Sequence, residues 1–302
     1  MWHPEPGWRP LRAGSGPSTY GVWSATEAGR EVVVKRLNAP GAGDPAELSD
    51  PGAAGYWRRA AEVAAAGFGY ATPGLRSPRA LRVEEDADGI TLVHERIAEE
   101  ALPGPFVAVA MGRFAGAELP AANWLAGGVL RSRLDRVAFR GGWTALARTT
   151  VADVAEHLWA RREHFLRELD ELPQVAQHGD PVPGNLPGRT GEHALAVDWE
   201  LLGRGPVGGD VGYYSLSARE AFEPLVDAYC AGLPAGLAAR AQVELGARVT
   251  AVFTVLTRAD WALHRVVDGY GALAGKFRHP AVAPYLRAMQ RQIPQIEQLL
   301  GW

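Results

Sequence analysis

Residues 178–200, HGDPVPGNLPGRTGEHALAVDWE, constrain the chain more than any other stretch. Asp180 and Asn185 stand in an H-x-D-x-x-x-x-N spacing that begins at His178, and the apolar run 194–197 then delivers Asp198. Carboxylate and amide oxygens are the hard ligands that a small divalent cation prefers. In a loop of this spacing the Asp orients a hydroxyl and accepts its proton, while the Asn holds Mg2+. The stretch therefore suits metal-assisted phosphoryl transfer, with Asp180 as base and Asn185 and Asp198 as metal ligands. Asp, Asn, Pro and Gly also populate ordinary turns, so the stretch taken alone admits a loop reading.

Upstream segments supply the other parts such chemistry needs. Residues 8–37 read as three short strands, the third being the β-branched run Val32-Val33-Val34 that ends at Lys35. Only Lys35 and Lys276 are lysines in a chain that otherwise uses arginine, which suggests that a compact ammonium is wanted at a strand end. From there a lysine can reach nucleotide phosphates if the loop at 14–19 covers them. In that loop Gly14, Ser15 and Gly16 would let backbone N–H groups approach phosphate, followed by Ser18 and Thr19. Thr19 occupies the place of a third glycine, so the loop is an imperfect G-x-G-x-x-G, and taken in isolation the stretch reads more readily as an ordinary hairpin turn. It is not a P-loop; Gly275-Lys276 is followed by Phe277 and fails the same test.

After a Pro/Gly/Asp-rich loop, residues 53–66 have helical composition, and Glu62 inside them is a candidate carboxylate for Lys35 or an i−4 partner for Arg58. Segments 80–85 and 90–97 predict a hairpin around Asp86-Ala87-Asp88-Gly89. The backbone at Glu95–Ile97 is where an adenine wedged between two lobes would find hydrogen bonds. Beyond Pro103-Gly104-Pro105 the pattern is helical, with helices expected over 119–139, 150–172, 209–229, 237–268 and 280–300. The reading is an α+β chain: residues 1–97 form a nucleotide-binding lobe with a small antiparallel sheet and one helix, and 98–302 a helical lobe. Asp210, in Gly-Gly-Asp, reads as a structural residue at a helix start.

Bulk properties narrow the alternatives. An apolar fraction of 47% with 22% charged residues is that of a soluble globular protein. A net charge of −3 gives no basic footprint for nucleic acid. No apolar stretch can span a bilayer, and no signal peptide is evident at the N-terminus. A single cysteine, Cys230, allows no internal disulfide and fits a reducing cytoplasm. A monomer is expected, with a dimer left open. Scattered histidines give no zinc spacing, and no G-x-S-x-G elbow is present.

With the 14–19 loop, Lys35, Glu62, the 92–97 hinge, His178-Gly179-Asp180, Asn185 and Val197-Asp198-Trp199-Glu200 in this order, the chain resembles the aminoglycoside phosphotransferase family. That family lies within the protein-kinase-like fold that also holds choline and homoserine kinases. The resemblance implies ATP (or GTP) and Mg2+, transfer of the γ-phosphate to a hydroxyl of a small molecule, and His178 as support for the catalytic loop. An antibiotic or related hydroxylated compound is the expected acceptor, with a metabolic or biosynthetic alcohol as the alternative. A catalytically silent nucleotide-binding regulator is the alternative from another class. Acceptor walls could be drawn from Trp199, Glu200, Asp260 and Trp261, with Glu171 and Asp268 further candidates. An aminoglycoside should meet carboxylates, yet Arg204, Arg258 and Arg265 are interspersed among these residues.

Overall fold

The computed structural model describes residues 2–13, 18–142, 150–267, 280 and 282–301. The N-terminal part is built on a five-stranded antiparallel sheet. Its strands are β1 (Arg9–Ala13), β2 (Thr19–Glu27), β3 (Arg30–Asn38), β5 (Ala80–Asp86) and β6 (Gly89–Glu95), in the order β1-β2-β3-β6-β5. Alternation along β3 sets its two faces. Val32 and Val34 are buried against Val93 and Ala25, while Val33 and Lys35 face the opposite side. Arg36, on the Val32/Val34 face, is fully buried, and its guanidinium grips Asp86 through two bonds of 2.9 and 2.7 Å. That grip ties β3 to the turn that joins β5 and β6.

The helix expected over 53–66 forms only at Arg59–Ala65 (α1). The reason is Arg59 itself. Its buried guanidinium takes the carbonyls of Pro51, Ala53 and Ala54, which a longer helix would have used for its own ladder. Beyond α1 the chain crosses to the second part, where β4 (Leu75–Arg76) pairs in parallel with β9 (His193–Leu195); β8 (Gly188–Thr190) pairs antiparallel with β9.

The second part is mainly helical. The helices are α2 (Gly104–Ala115), α3 (Val129–Phe139), α4 (Thr150–Ala160), α5 (Arg162–Asp170), α6 (Gly209–Ser215), α7 (Phe222–Gly232), α8 (Arg240–Val267), α9 (Ala283–Arg291) and α10 (Ile293–Leu300). Four of the expected helices are shorter or broken. The 119–139 segment is helical only from Val129, because Gly127-Gly128 precedes it and Gly128 takes a left-handed φ of 55°. The segment 150–172 divides at Arg161, 209–229 divides between α6 and α7, and 280–300 divides at Gln292. The largest core joins α2, α7 and α8 through Met111, Phe114, Leu225, Tyr229, Val252 and Phe253. Gly212 lets α6 lie directly on α8, since a Cβ there would stand 2.1 Å from the Ala247 carbonyl oxygen.

Candidate active site

Between the two parts lies a cleft of about 420 Å³, lined on the sheet side by Val22, Val33, Lys35, Leu92 and His94 and on the opposite side by Asn185, Val197 and Asp198. Strand β7 (Gln174–Gln177), paired with β10 (Gly203–Pro206), leads into the loop that carries Asp180. Gly179 has a φ of 83°, and a Cβ there would lie 2.6 Å from that of Leu201; a side chain would be both strained and crowded.

His178 is fully buried and holds the loop from within. Its Nε2 lies 2.9 Å from the Val197 carbonyl oxygen, which can only accept, so Nε2 carries the proton. Nδ1 is thereby left to accept the Asp180 backbone N–H at 3.3 Å. Asp210, buried near the start of α6, accepts the backbone N–H groups of His178 (2.7 Å) and Gly179 (3.0 Å). Burial pushes its carboxyl pKa upward, against the pull of the two backbone amide bonds it accepts. Sequence reasoning missed this contact; the Gly-Gly-Asp motif marks the helix start, but its partners lie some thirty residues upstream in the chain.

Asn185 donates both hydrogens of Nδ2 to Asp180, at 3.0 Å to the backbone oxygen and 3.1 Å to Oδ2. Its Oδ1 is the atom left to accept or ligate. Its backbone oxygen accepts the N–H of Val197 at 2.9 Å, which brings the segment ending at Asp198 alongside. Asp198 has φ 66° and ψ 54°, a left-handed conformation that Asp tolerates better than most residues. Lys35 meets it from the sheet: Nζ lies 2.5 Å from Asp198 Oδ1 and 2.7 Å from Glu200 Oε1. Burial lowers the Lys35 pKa, but the charges of Glu200 and Asp198 outweigh it, and the net shift is upward. The Glu200 oxygen also accepts the Thr19 hydroxyl at 2.9 Å.

Hard oxygens at Asn185 and Asp198 fit a divalent cation completed by phosphate oxygens and water. Among the described residues no cluster of three or more His, Cys, Asp or Glu side chains forms a metal site unaided.

Several expected site residues stand elsewhere. Glu62 faces Arg58 at 3.6 Å, while Lys35 takes Asp198 and Glu200 instead, because Arg59 draws the backbone carrying Glu200 to α1. Glu200 is therefore no acceptor wall. Trp199 is buried against Phe68, Phe114 and His178, with its indole N–H on the Ala196 carbonyl, and offers no stacking face to an acceptor. Asp260 is buried in a pair with Arg140. Trp261 is 44% exposed and edge-on to Tyr285. Ser18 is buried and absent from the cleft lining; its carbonyl accepts the Asn38 N–H. The N–H groups of Glu95 and Arg96 are donated to Arg79 and Glu31, although both residues and Ile97 line the cleft. Gly14, Ser15, Gly16, Asp268 and Lys276 lie outside the described residues.

Fold and site together define a kinase-like phosphotransferase acting on small molecules. A family model described as phosphotransferase enzyme family matches residues 7–244, and the chain belongs to that family. Among curated proteins none matches the chain. Solved structures share the fold at low identity. A choline/ethanolamine kinase family protein from Mesorhizobium loti is 19% identical with a TM-score of 0.56, over 94% of this chain and 92% of that one. A thermostable mutant of the aminoglycoside phosphotransferase APH(4)-Ia is 15% identical with a TM-score of 0.59, over 98% and 95%. The amicoumacin kinase hAmiN, in complex with AMP-PNP, Ca2+ and Ami, is 11% identical with a TM-score of 0.58, over 99% and 94%.

Proposed function

We propose that the chain transfers the γ-phosphoryl group of ATP (or GTP) to a hydroxyl of a small molecule, with Mg2+ as cofactor. The observation that carries this reading is the convergence of Asn185, Asp198 and Lys35 at one cleft, with Asp180 held against Asn185 by hydrogen bonds. Asp180 orients the acceptor hydroxyl and takes its proton; Asn185 keeps the Asp180 carboxylate in place. Lys35 holds nucleotide phosphates, with Glu200 setting its position. The base lies along Leu92–Ile97, where Ile97 offers the hinge amide once those of Glu95 and Arg96 are committed. Asn185 and Asp198 would hold Mg2+, which would supply neutralisation of the phosphate charge in the transfer. His178 and Asp210 position the loop and touch no reactant.

Related structures carry AMP-PNP with Ca2+ in an amicoumacin kinase and GDP with kanamycin in an aminoglycoside phosphotransferase, which supports a nucleotide, a divalent cation and a hydroxylated acceptor. An antibiotic or related hydroxylated compound remains the acceptor expected from these relatives, and a metabolic alcohol the alternative. The decisive experiment is a screen of Mg2+-dependent ATP and GTP consumption across hydroxylated antibiotics and metabolites. Turnover stimulated by at least one acceptor, with phosphate recovered on it, is expected. A protein that binds no Mg-nucleotide in the screen refutes the proposal.

A further inference from the structure

The surroundings of Asp180 on the side away from the nucleotide bear on acceptor class. Tyr213, from α6, is buried near Asp180; burial first, and the Asp180 charge as a lesser cause, raise its hydroxyl pKa. Two guanidiniums lie over its ring. Arg133, from α3, stands 4.8 Å from the ring centroid, and Arg258, from α8, stands 4.4 Å from it. Their elements force this placement: Leu134 and Val137 of α3 and Phe253, Leu256 and Ala259 of α8 are buried, which leaves Arg133 and Arg258 half-buried at the edge beside the catalytic loop. Arg133 also donates to the Gly179 carbonyl at 3.3 Å. Neither guanidinium forms a salt bridge to a carboxylate among the described residues.

Two of the carboxylates that could have suited a cationic acceptor are spent. Asp260 is neutralised by Arg140, and Glu200 is taken by Lys35 and Thr19. Two arginines brought to one ring beside the loop of Asp180 make a locally cationic wall among the described residues. A guanidinium in such a place matches a carboxylate or phosphate with paired N–H donors, and repels an ammonium.

Resting on the reading of Asp180 as the base, we propose that the acceptor is an anionic hydroxylated small molecule. Its carboxylate or phosphate group binds Arg258, with Arg133 adjacent, and its hydroxyl lies over Asp180. The transfer balances as for any alcohol: the hydroxyl oxygen bonds to the γ-phosphorus, the bond to the β-phosphate oxygen breaks, ADP leaves, and the proton passes to Asp180.

The test uses the full chain with Mg-ATP and a library of acceptor triads that share a hydroxylated scaffold and differ in charge. Glucuronate, glucose and glucosamine form one triad; glycerate, glycerol and aminopropanediol form another. Stimulation of ATP consumption by carboxylate members, roughly tenfold or more above their neutral and amino partners, is expected. Arg258→Gln should raise KM for those acceptors roughly tenfold or more with a smaller effect on kcat, and Arg258→Lys should recover part of the loss. Equal or greater stimulation by amino or neutral members overturns the inference and leaves the kinase reading standing. So does Mg-ATP binding without stimulation by any anionic member, or an Arg258→Gln defect confined to kcat and indifferent to acceptor charge. Failure to bind Mg-ATP at all removes the kinase reading, and the inference with it.

Discussion

At the scale of single residues, the site is a set of groups fixed by specific bonds, some of which leave an atom for the chemistry and some of which only hold the loop. Asn185 has both amide hydrogens on Asp180, and His178 has both ring nitrogens committed to the backbone. In the proposed reaction Asp180→Asn keeps the shape of the loop and removes the base. We expect kcat to fall by about 10²–10⁴, with Mg-nucleotide affinity retained in a calorimetric titration; near wild-type turnover would exclude Asp180 as base. His94 gives a prediction of another kind. Burial, with Lys35 nearby, pulls its pKa down to about 4. Above the unfolded value of roughly 6.5 the ring is neutral in both states and affects nothing. As pH falls from there toward 4, the unfolded chain gains a proton that the folded chain refuses, so stability drops. Allowing for partial exposure to the cleft, the loss is ~2 kcal/mol. Urea midpoints measured between pH 7 and 4 should show a shallower decline for His94→Gln than for wild type.

At the scale of elements, Arg59 decides more than its place in a short helix suggests. Its guanidinium donates to five backbone carbonyls, those of Pro51, Ala53, Ala54, Trp124 and Glu200. Burial, the largest influence, lowers its pKa to about 10, against the raising effect of Tyr56 and Glu200, so it stays charged at neutral pH. Arg59→Met would orphan carbonyls on three segments at once and should cost about 3 kcal/mol or more, read as a lower urea midpoint at unchanged m-value. Arg59→Lys should recover little, since one ammonium cannot span five acceptors arranged around a plane. This residue also explains why α1 is shorter than its composition predicts. Its composition favours helix throughout 53–66, but a tertiary bond network takes the carbonyls that the first turns required. The hairpins joining β2 to β3 and β5 to β6 were legible for the converse reason: alternating strands and short Gly-containing turns are specified within a few residues.

At the scale of the whole molecule, the sheet and the helical part are joined across the cleft by Lys35 and by the bonds from Arg59. The Lys35 ammonium binds carboxylates that the proposed nucleotide complex would share with Mg2+ and phosphate. Mg-ADP should therefore raise the melting temperature, with a stabilisation of ~2.7 kcal/mol at a hundredfold excess over Kd. Lys35→Met should abolish most of that shift, and Glu200→Gln should reduce it; an unchanged shift in both variants would remove Lys35 from the nucleotide site.

Residues 178–200 by themselves pointed to the kind of chemistry, because the oxygens proposed as base and metal ligands stand at short, readable spacings. The β-branched run likewise placed Lys35 on the third strand, although β3 runs on to Asn38 rather than ending there. Tertiary structure decided the partners. Glu200 rather than Glu62 meets Lys35, Asp210 holds the catalytic loop, Trp199 and Asp260 are buried, and Arg133 and Arg258 flank Tyr213. Each of these depends on which helices lie side by side, and packing of that kind leaves no local period or spacing in the chain.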